Sequence, residues 1–174
     1  MKEIIIKSIE DKLGWSERSF IKMSDKKADY LEIQDCFWSF LSSTQQVRFY
    51  FSKYIHHMNS DLSNKKKSEL VKKNLDNWKK NSLIKEEVLS WNLLNELRNE
   101  DTHDESVITN YEIKDFKLSD GNGNLISDGR GVILSFGVSG YYVRYKNKDY
   151  EIIDLSKNGL ESSKKLLEYL ENKL

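Results

Sequence analysis

The chain contains one short string whose residue types suit chemistry, Arg98-Asn99-Glu100-Asp101-Thr102-His103. Histidine exchanges protons near neutral pH, and arginine stays charged and presents a planar fork to phosphate oxygens. Asn99 precedes His103 by about one helical turn, so its amide could orient the imidazole. RNA carries its own nucleophile, the 2′-hydroxyl, so strand cleavage needs a base, an acid and a cation at the phosphate. The string therefore offers part of a metal-independent site for such a reaction.

One copy of the string is an incomplete set of catalytic groups. It provides a single imidazole, whereas cleavage needs one proton acceptor and one proton donor. Two copies that face each other would provide both proton-transfer roles and two guanidinium groups. We therefore expect a homodimer whose motif helices meet across a two-fold axis. We expect no cofactor, because this chemistry gives a metal no role.

Two apolar segments must position the string. Residues 84–97 have helical periodicity, with a stripe formed by Ile84, Val88, Trp91 and Leu94. Residues 30–58 carry apolar side chains at alternating spacings of four and three, which predicts one continuous helix. The core residues expected in that helix, buried against the 84–97 helix, are Ile33, Phe37, Phe40, Val47 and Phe51.

The remaining helical part is less sharply defined. Turn-forming residues at 59–64 end the long helix, and residues 65–80 predict a third, more polar helix. Residues 1–27 are ambiguous: Ile4, Ile5, Ile6, Ile9 and Leu13 could form a first helix, followed by a loop and a second entry into the bundle. There is no proline, so nothing in the sequence forces these helices to break.

The pattern changes from helix to strand near residue 109. Residues 132–138 and 141–145 favour strands, and Ser139-Gly140 between them predicts a hairpin. Residues 150–155 predict a third strand, and residues 156–174 predict an amphipathic helix. The expected fold is therefore mainly α (α+β). A helical bundle over residues 1–108 is followed, over residues 109–174, by a small antiparallel β-meander and a C-terminal helix packed on the bundle.

Composition narrows the class of protein. The 174 residues, of which 38% are hydrophobic and 11% aromatic, are compatible with a folded domain. The formal net charge is zero, so no overall field marks a nucleic-acid-binding protein. The single cysteine excludes an internal disulfide and a cysteine-rich zinc site. The first residues contain an apolar stretch of only three, so we expect a cytoplasmic protein with no membrane partner.

Charge is nevertheless segregated along the chain. Residues 65–80 contain seven lysines, and residues 85–105 contain seven acids. One interpretation is that these are solvated faces of neighbouring helices that attract each other. The other is that the lysines form a phosphate-binding wall for RNA, since basic side chains supply most sequence-independent affinity for nucleic acids. The acids around His103 count against this second interpretation, because they would repel the RNA. The candidate phosphate-binding residues are Lys65, Lys66, Lys72 and Lys73.

Two further clusters are weaker candidates for metal binding. His56 and His57 are adjacent, so on a helix their side chains point about 100° apart, which suits surface positions better than a shared ion with Cys36. The acids at 100–105 lack the alternating positions of a calcium-binding loop. We therefore expect no metal site.

The string resembles the Arg-polar-x-x-x-His signature of the HEPN superfamily (higher eukaryotes and prokaryotes nucleotide-binding), many of whose members cut RNA. Residues 37–48, with aromatic and small polar side chains, resemble the opening helix of that family, and the string follows about 50 residues later, as in the family. The resemblance covers roughly residues 28–108. It implies an HEPN-like helical bundle in which Arg98 and His103 are catalytic and Asn99 supports them.

The resemblance also implies a biological context. Members of the family often act as toxins paired with antitoxins, or in antiviral defence, so an antitoxin or nucleotidyltransferase partner is implied. This chain departs from the family pattern at Glu105, where some toxin members have a tyrosine, and at Glu100 and Asp101, where small or apolar residues are common. A non-catalytic HEPN-like module that binds a nucleotide or another protein is therefore the alternative.

Overall fold

The computed structural model describes residues 2–25, 30–101, 108–117, 135–146 and 148–172. The described residues form five helices and three strands, which confirms the mainly α fold with a small antiparallel sheet and a C-terminal helix. In chain order these elements are α1 (Lys2–Met23), α2 (Tyr30–Met58), α3 (Asn64–Ser82), α4 (Lys85–Asp101), β1 (Ile108–Lys117), β2 (Ser135–Tyr145), β3 (Lys148–Glu151) and α5 (Ile152–Glu171).

The chain forms two compact units. The helical unit comprises residues 1–107 and 153–174, and the strand unit comprises residues 108–152. In chain order the strand unit is therefore an insertion between α4 and α5. Almost all of α5 belongs to the helical unit, although the sequence pattern groups that helix with the strands.

The core of the helical unit is built around α2. This 29-residue helix is continuous from Tyr30 to Met58, as predicted. All five of its expected core residues are buried. The helix α1, which the sequence left undecided, makes the most extensive contact with α2 and contributes Ile5, Ile9 and Leu13 to the core. α2 thus packs on α4 as expected, but its largest partner is α1.

The buried face of α4 differs in part from the predicted stripe. Trp91, Leu94 and Leu97 are buried, but Ile84 is 58% exposed and Leu89 is 51% exposed. Ile84 precedes the first residue of α4, and its backbone N–H donates a hydrogen bond to the Glu87 carboxylate at 3.0 Å, as in a capping box. Leu89 lies five residues before Leu94, about 140° around the helix, and therefore faces away from the core.

The sheet of the strand unit has the order β1-β2-β3 and is antiparallel throughout. The predicted hairpin at Ser139-Gly140 is wrong, because β2 runs through both residues. They pair with Ile113 and Glu112 of β1 instead. The turn comes later, at Lys146, which has a φ of 48° and links β2 to β3.

The predicted third strand is also too long. β3 ends at Glu151, and Ile152 already begins α5. The buried residues here have helical spacing, and they form the apolar face of a helix, not of a strand: Ile152, Leu155 and Leu166. None of the helices in the described ranges is long and apolar enough to cross a membrane.

Candidate functional site

The first two residues of the string lie in the last turn of α4. Arg98 is half-buried and Asn99 is exposed. A basic residue at this end of a helix interacts favourably with the negative end of the helix dipole. His103 lies outside the described residues, and the side chains of Glu100 and Asp101 do as well. In the described part, the site therefore consists of Arg98, Asn99 and the groups that surround them.

A polar side chain of α2 reaches the end of α4. The Gln45 Nε2 donates to Asn99 Oδ1 at 3.5 Å, which makes this a long and weak hydrogen bond. The two residues are 54 positions apart in the sequence, so the contact depends on the packing of α2 against α4. It places the polar face of α2 beside the last turn of the motif helix.

Arg48 lies about one turn further along α2 and is held against α4. Its guanidinium stacks on the ring of Trp91, with Cζ 3.8 Å from the ring centroid, and its Nη2 donates to the Trp91 carbonyl. The Trp91 ring in turn meets Trp78 of α3 edge to face, with centroids 4.7 Å apart. The three side chains thus form a stack that joins α2, α4 and α3.

The charge of Arg48 is not compensated by an acid in the described part of the chain. No carboxylate there lies within ion-pair distance of its guanidinium. Burial lowers the pKa of Arg48 from its ordinary value to about 9, so the side chain remains charged at neutral pH. A desolvated cation without an anionic partner among the described residues is well suited to an anion that arrives from outside.

Arg48 lines a small cavity between α2, α4 and α5. The cavity measures about 10 Å³, roughly the space of one water molecule, so it cannot enclose a nucleotide. Its polar lining includes Thr44, Gln45, Asn95 and Ser163. The hydroxyls of Thr44 and Ser163 already donate to the Phe40 and Gly159 carbonyls. The amides of Gln45 and Asn95, beside the guanidinium, are the groups that can donate hydrogen bonds to an oxyanion. A larger ligand would therefore bind across the surface and place no more than about one oxygen atom in this cavity.

The helix α5 fixes the position of α4. The Lys165 Nζ lies 2.7 and 2.8 Å from the two carboxylate oxygens of Glu87, whose side chain is buried. The Ser162 hydroxyl donates to the Glu87 carbonyl at 3.3 Å. At Gly159 the two helices approach so closely that a Cβ there would overlap Leu94 Cδ1. These contacts hold the helix that carries Arg98 and Asn99.

The predicted phosphate-binding lysines are exposed but separate from this site. Lys65, Lys66, Lys72 and Lys73 all lie on the surface of α3. Among the described side chains, none of the four forms a hydrogen bond or ion pair with Arg98 or Asn99. Their exposure leaves them accessible to a polyanion, and their role in phosphate binding stays a prediction.

The described residues offer no alternative centre for metal binding. No three described His, Cys, Asp or Glu side chains are grouped so that they could hold a metal ion. His57 is exposed and His56 is partly exposed on α2. Burial raises the pKa of the Cys36 thiol, so this cysteine stays protonated at neutral pH.

Sequence reasoning missed the contribution of Gln45, Arg48 and Asn95. One signal for Arg48 was present, because it directly follows the buried Val47 in a helix whose neighbouring apolar positions form the core. Its contact with Trp91 could not be read from spacing. The chain matches no family model, no curated protein and no solved structure.

Proposed function

We propose that this chain is an HEPN-like, metal-independent endoribonuclease of a toxin–antitoxin or antiviral defence system, acting in the cytoplasm as a homodimer. The observation that carries the proposal is the placement of Arg98 and Asn99 in the last turn of α4, where Gln45 contacts Asn99. Arg48, about one turn from Gln45, adds a second guanidinium with no acidic partner in the described part of the chain.

In this mechanism the histidines and arginines have distinct roles. His103 of one protomer accepts the proton of the RNA 2′-hydroxyl, which attacks the adjacent phosphorus. The partner's His103 donates a proton to the 5′-oxygen as it leaves. Arg98 stabilises the negative charge that builds on the phosphate oxygens, and Asn99 orients the imidazole. The products are a 2′,3′-cyclic phosphate and a 5′-hydroxyl.

The test is cleavage of RNA by the purified full chain in the presence of EDTA. We expect 2′,3′-cyclic phosphate ends and loss of cleavage in both His103→Ala and Arg98→Ala. The double variant should be little worse than either single one, because both disable the same step. The matched control is Arg18→Ala, which removes an exposed arginine of α1. A requirement for Mg²⁺, or full activity of His103→Ala, would refute this mechanism.

The alternative function is a non-catalytic module that binds a nucleotide or a protein such as an antitoxin or nucleotidyltransferase. The acids that follow Arg98 and Asn99 favour it, because they repel an approaching polyanion. Cleavage of no RNA by the wild type, together with stoichiometric binding of a nucleotide or partner protein, would favour this second function.

A further inference from the structure

One aromatic side chain of α2 is placed unlike the other phenylalanines of that helix. Phe37, Phe40 and Phe51 are fully buried, whereas Phe49 is 55% exposed. Among the described residues, its aromatic and cation contacts are with side chains of its own helix. The Tyr50 ring lies edge to face with centroids 5.6 Å apart, and the Lys53 Nζ is 5.2 Å from the Phe49 centroid. A single exposed apolar residue is common on protein surfaces, so a binding role for Phe49 has to be argued from the residues around it.

The surroundings of Phe49 contain no acid along the helix. Residues 36–60 include no Asp or Glu, in a chain that has 28 of them. On the same face of α2, at spacings of three and four, lie Lys53, His56 and His57. Other exposed apolar residues are flanked differently. Ile21, which is 62% exposed on α1, lies four residues from Glu17 and from Asp25.

This face is continuous with the proposed site. Gln45, which contacts Asn99, precedes Phe49 by four residues, about 6 Å along the helix axis. Lys53 follows after a further turn. A polymer lying along α2 would therefore pass from the end of α4 over an exposed aromatic ring and then a lysine. Single-stranded nucleic acids are bound by this combination of stacking and charge.

We propose that Phe49, Tyr50 and Lys53 form a binding surface for single-stranded RNA, on which one base stacks on Phe49 while Lys53 contacts a neighbouring phosphate. The identification of RNA as the ligand rests on the proposed function. The proposal adds which part of the chain holds the substrate strand. A second copy of the chain is a poorer occupant. A two-fold interface through this face would bring Lys53 close to its own counterpart, where like charges repel.

The experiment measures binding separately from cleavage. The full chain carrying His103→Ala is titrated into a fluorescein-labelled ten-nucleotide single-stranded RNA, and into the corresponding duplex, with fluorescence anisotropy as the readout. We expect Phe49→Ala to raise the Kd for the single strand roughly 5- to 100-fold. Phe49→Trp should retain affinity. Phe49→Leu should resemble Phe49→Ala, because it keeps apolar area but loses the ring.

The remaining variants test charge and specificity. Lys53→Gln should reduce the slope of log affinity against log salt by about 0.7. Ile21→Ala is the matched control, because it removes an exposed apolar residue from an acidic surrounding, and it should leave the Kd within twofold of its parent. All of these positions are exposed, so equal thermal melting of the variants is expected and is checked by circular dichroism.

Several outcomes would overturn the inference. They are an unchanged Kd for Phe49→Ala, no binding of single-stranded RNA at all, or conversion of a dimer to a monomer by Phe49→Ala with RNA affinity intact. The last result would assign the surface to a second copy. Failure of the proposed function is distinguishable. Wild type that cuts no RNA, but loses binding in the Phe49 variants, leaves this surface standing and removes the endoribonuclease. If the wild type and the Phe49→Ala variant cut RNA equally well, the endoribonuclease stands and this surface is refuted.

Discussion

Replacement of Arg48 by methionine tests whether its guanidinium is held for stability or for ligand binding. The lowering of its pKa from its ordinary value to about 9 corresponds to a cost on the order of 5 kcal/mol for keeping the charge in place. The stacking on Trp91 and the hydrogen bond to the Trp91 carbonyl offset this by about 2 and about 1.5–3 kcal/mol. Methionine keeps much of the packing on the ring. We therefore expect Arg48→Met to change the free energy of unfolding at pH 7 by less than about 1 kcal/mol.

Urea unfolding followed by circular dichroism at pH 7 and pH 10 is the measurement. Between pH 9 and the higher pKa of an ordinary arginine, the unfolded chain binds more protons at Arg48 than the folded chain, so the stability of the wild type rises with pH in that range. Relative to Arg48→Met, the wild type should gain about 1 kcal/mol by pH 10, with a constant difference below pH 8. Arg48→Ala is the comparison for lost packing and should be roughly 2 kcal/mol less stable than Arg48→Met.

A loss of more than about 3 kcal/mol in Arg48→Met at pH 7, or a stability difference that does not change up to pH 10, would refute this reasoning. Either result would make Arg48 a structural link between α2 and α4. Retained stability with reduced RNA cleavage would instead show that the charge serves the site.

Three further predictions concern the contacts that hold the helical unit, each measured by urea unfolding. Phe37→Ala should lower the free energy of unfolding by about 3–5 kcal/mol, and a change under about 1 kcal/mol would contradict its core position. Gly159→Ala should be destabilising by about 1–3 kcal/mol despite the better helix propensity of alanine, because the added Cβ would overlap Leu94. Adding Leu94→Ala should reverse part of that loss. An unchanged or raised stability of the single variant would show that the helices can separate at little cost. Lys165→Met should lower the free energy of unfolding by about 3–5 kcal/mol, because it leaves the buried Glu87 carboxylate without its ion-pair partner. A combined Glu87→Gln and Lys165→Met variant should lose much less stability. Equal losses in the two variants would mean that the ion pair is not the cause.

The helices could be predicted closely, because their signals are local. The bounds of α2 match the predicted 30–58, since the spacing of apolar residues and the turn formers after Met58 both lie within the segment itself. The strands were harder. Ser139-Gly140 has the composition of a turn, but its conformation is decided by pairing with Ile113 and Glu112, far away in sequence. Local propensity cannot reveal a partner that tertiary structure supplies.

Part of the candidate site could likewise be predicted from local signals, and part could not. The position of Arg98 and Asn99 at the end of a helix followed from the apolar periodicity that stops before them. The contacts that surround them join residues 54 and 43 positions apart, Gln45 with Asn99 and Arg48 with Trp91. Such contacts depend on how two helices are placed against each other, and a single sequence carries no direct record of that placement.

The insertion of the strand unit between α4 and α5 has a consequence for synthesis on the ribosome. α1 and α2 can pair early, but the ion pair from Glu87 to Lys165 spans 78 residues, so α4 receives this support only after α5 has been made. At 5–20 residues per second, about 70 residues between the ends of α4 and α5 correspond to a delay of roughly 4–14 seconds. During that interval the apolar face around Leu94 lacks its cover from α5. A nascent chain is therefore expected to need chaperone protection then, and any activity that depends on Arg98 would begin only after α5 is in place.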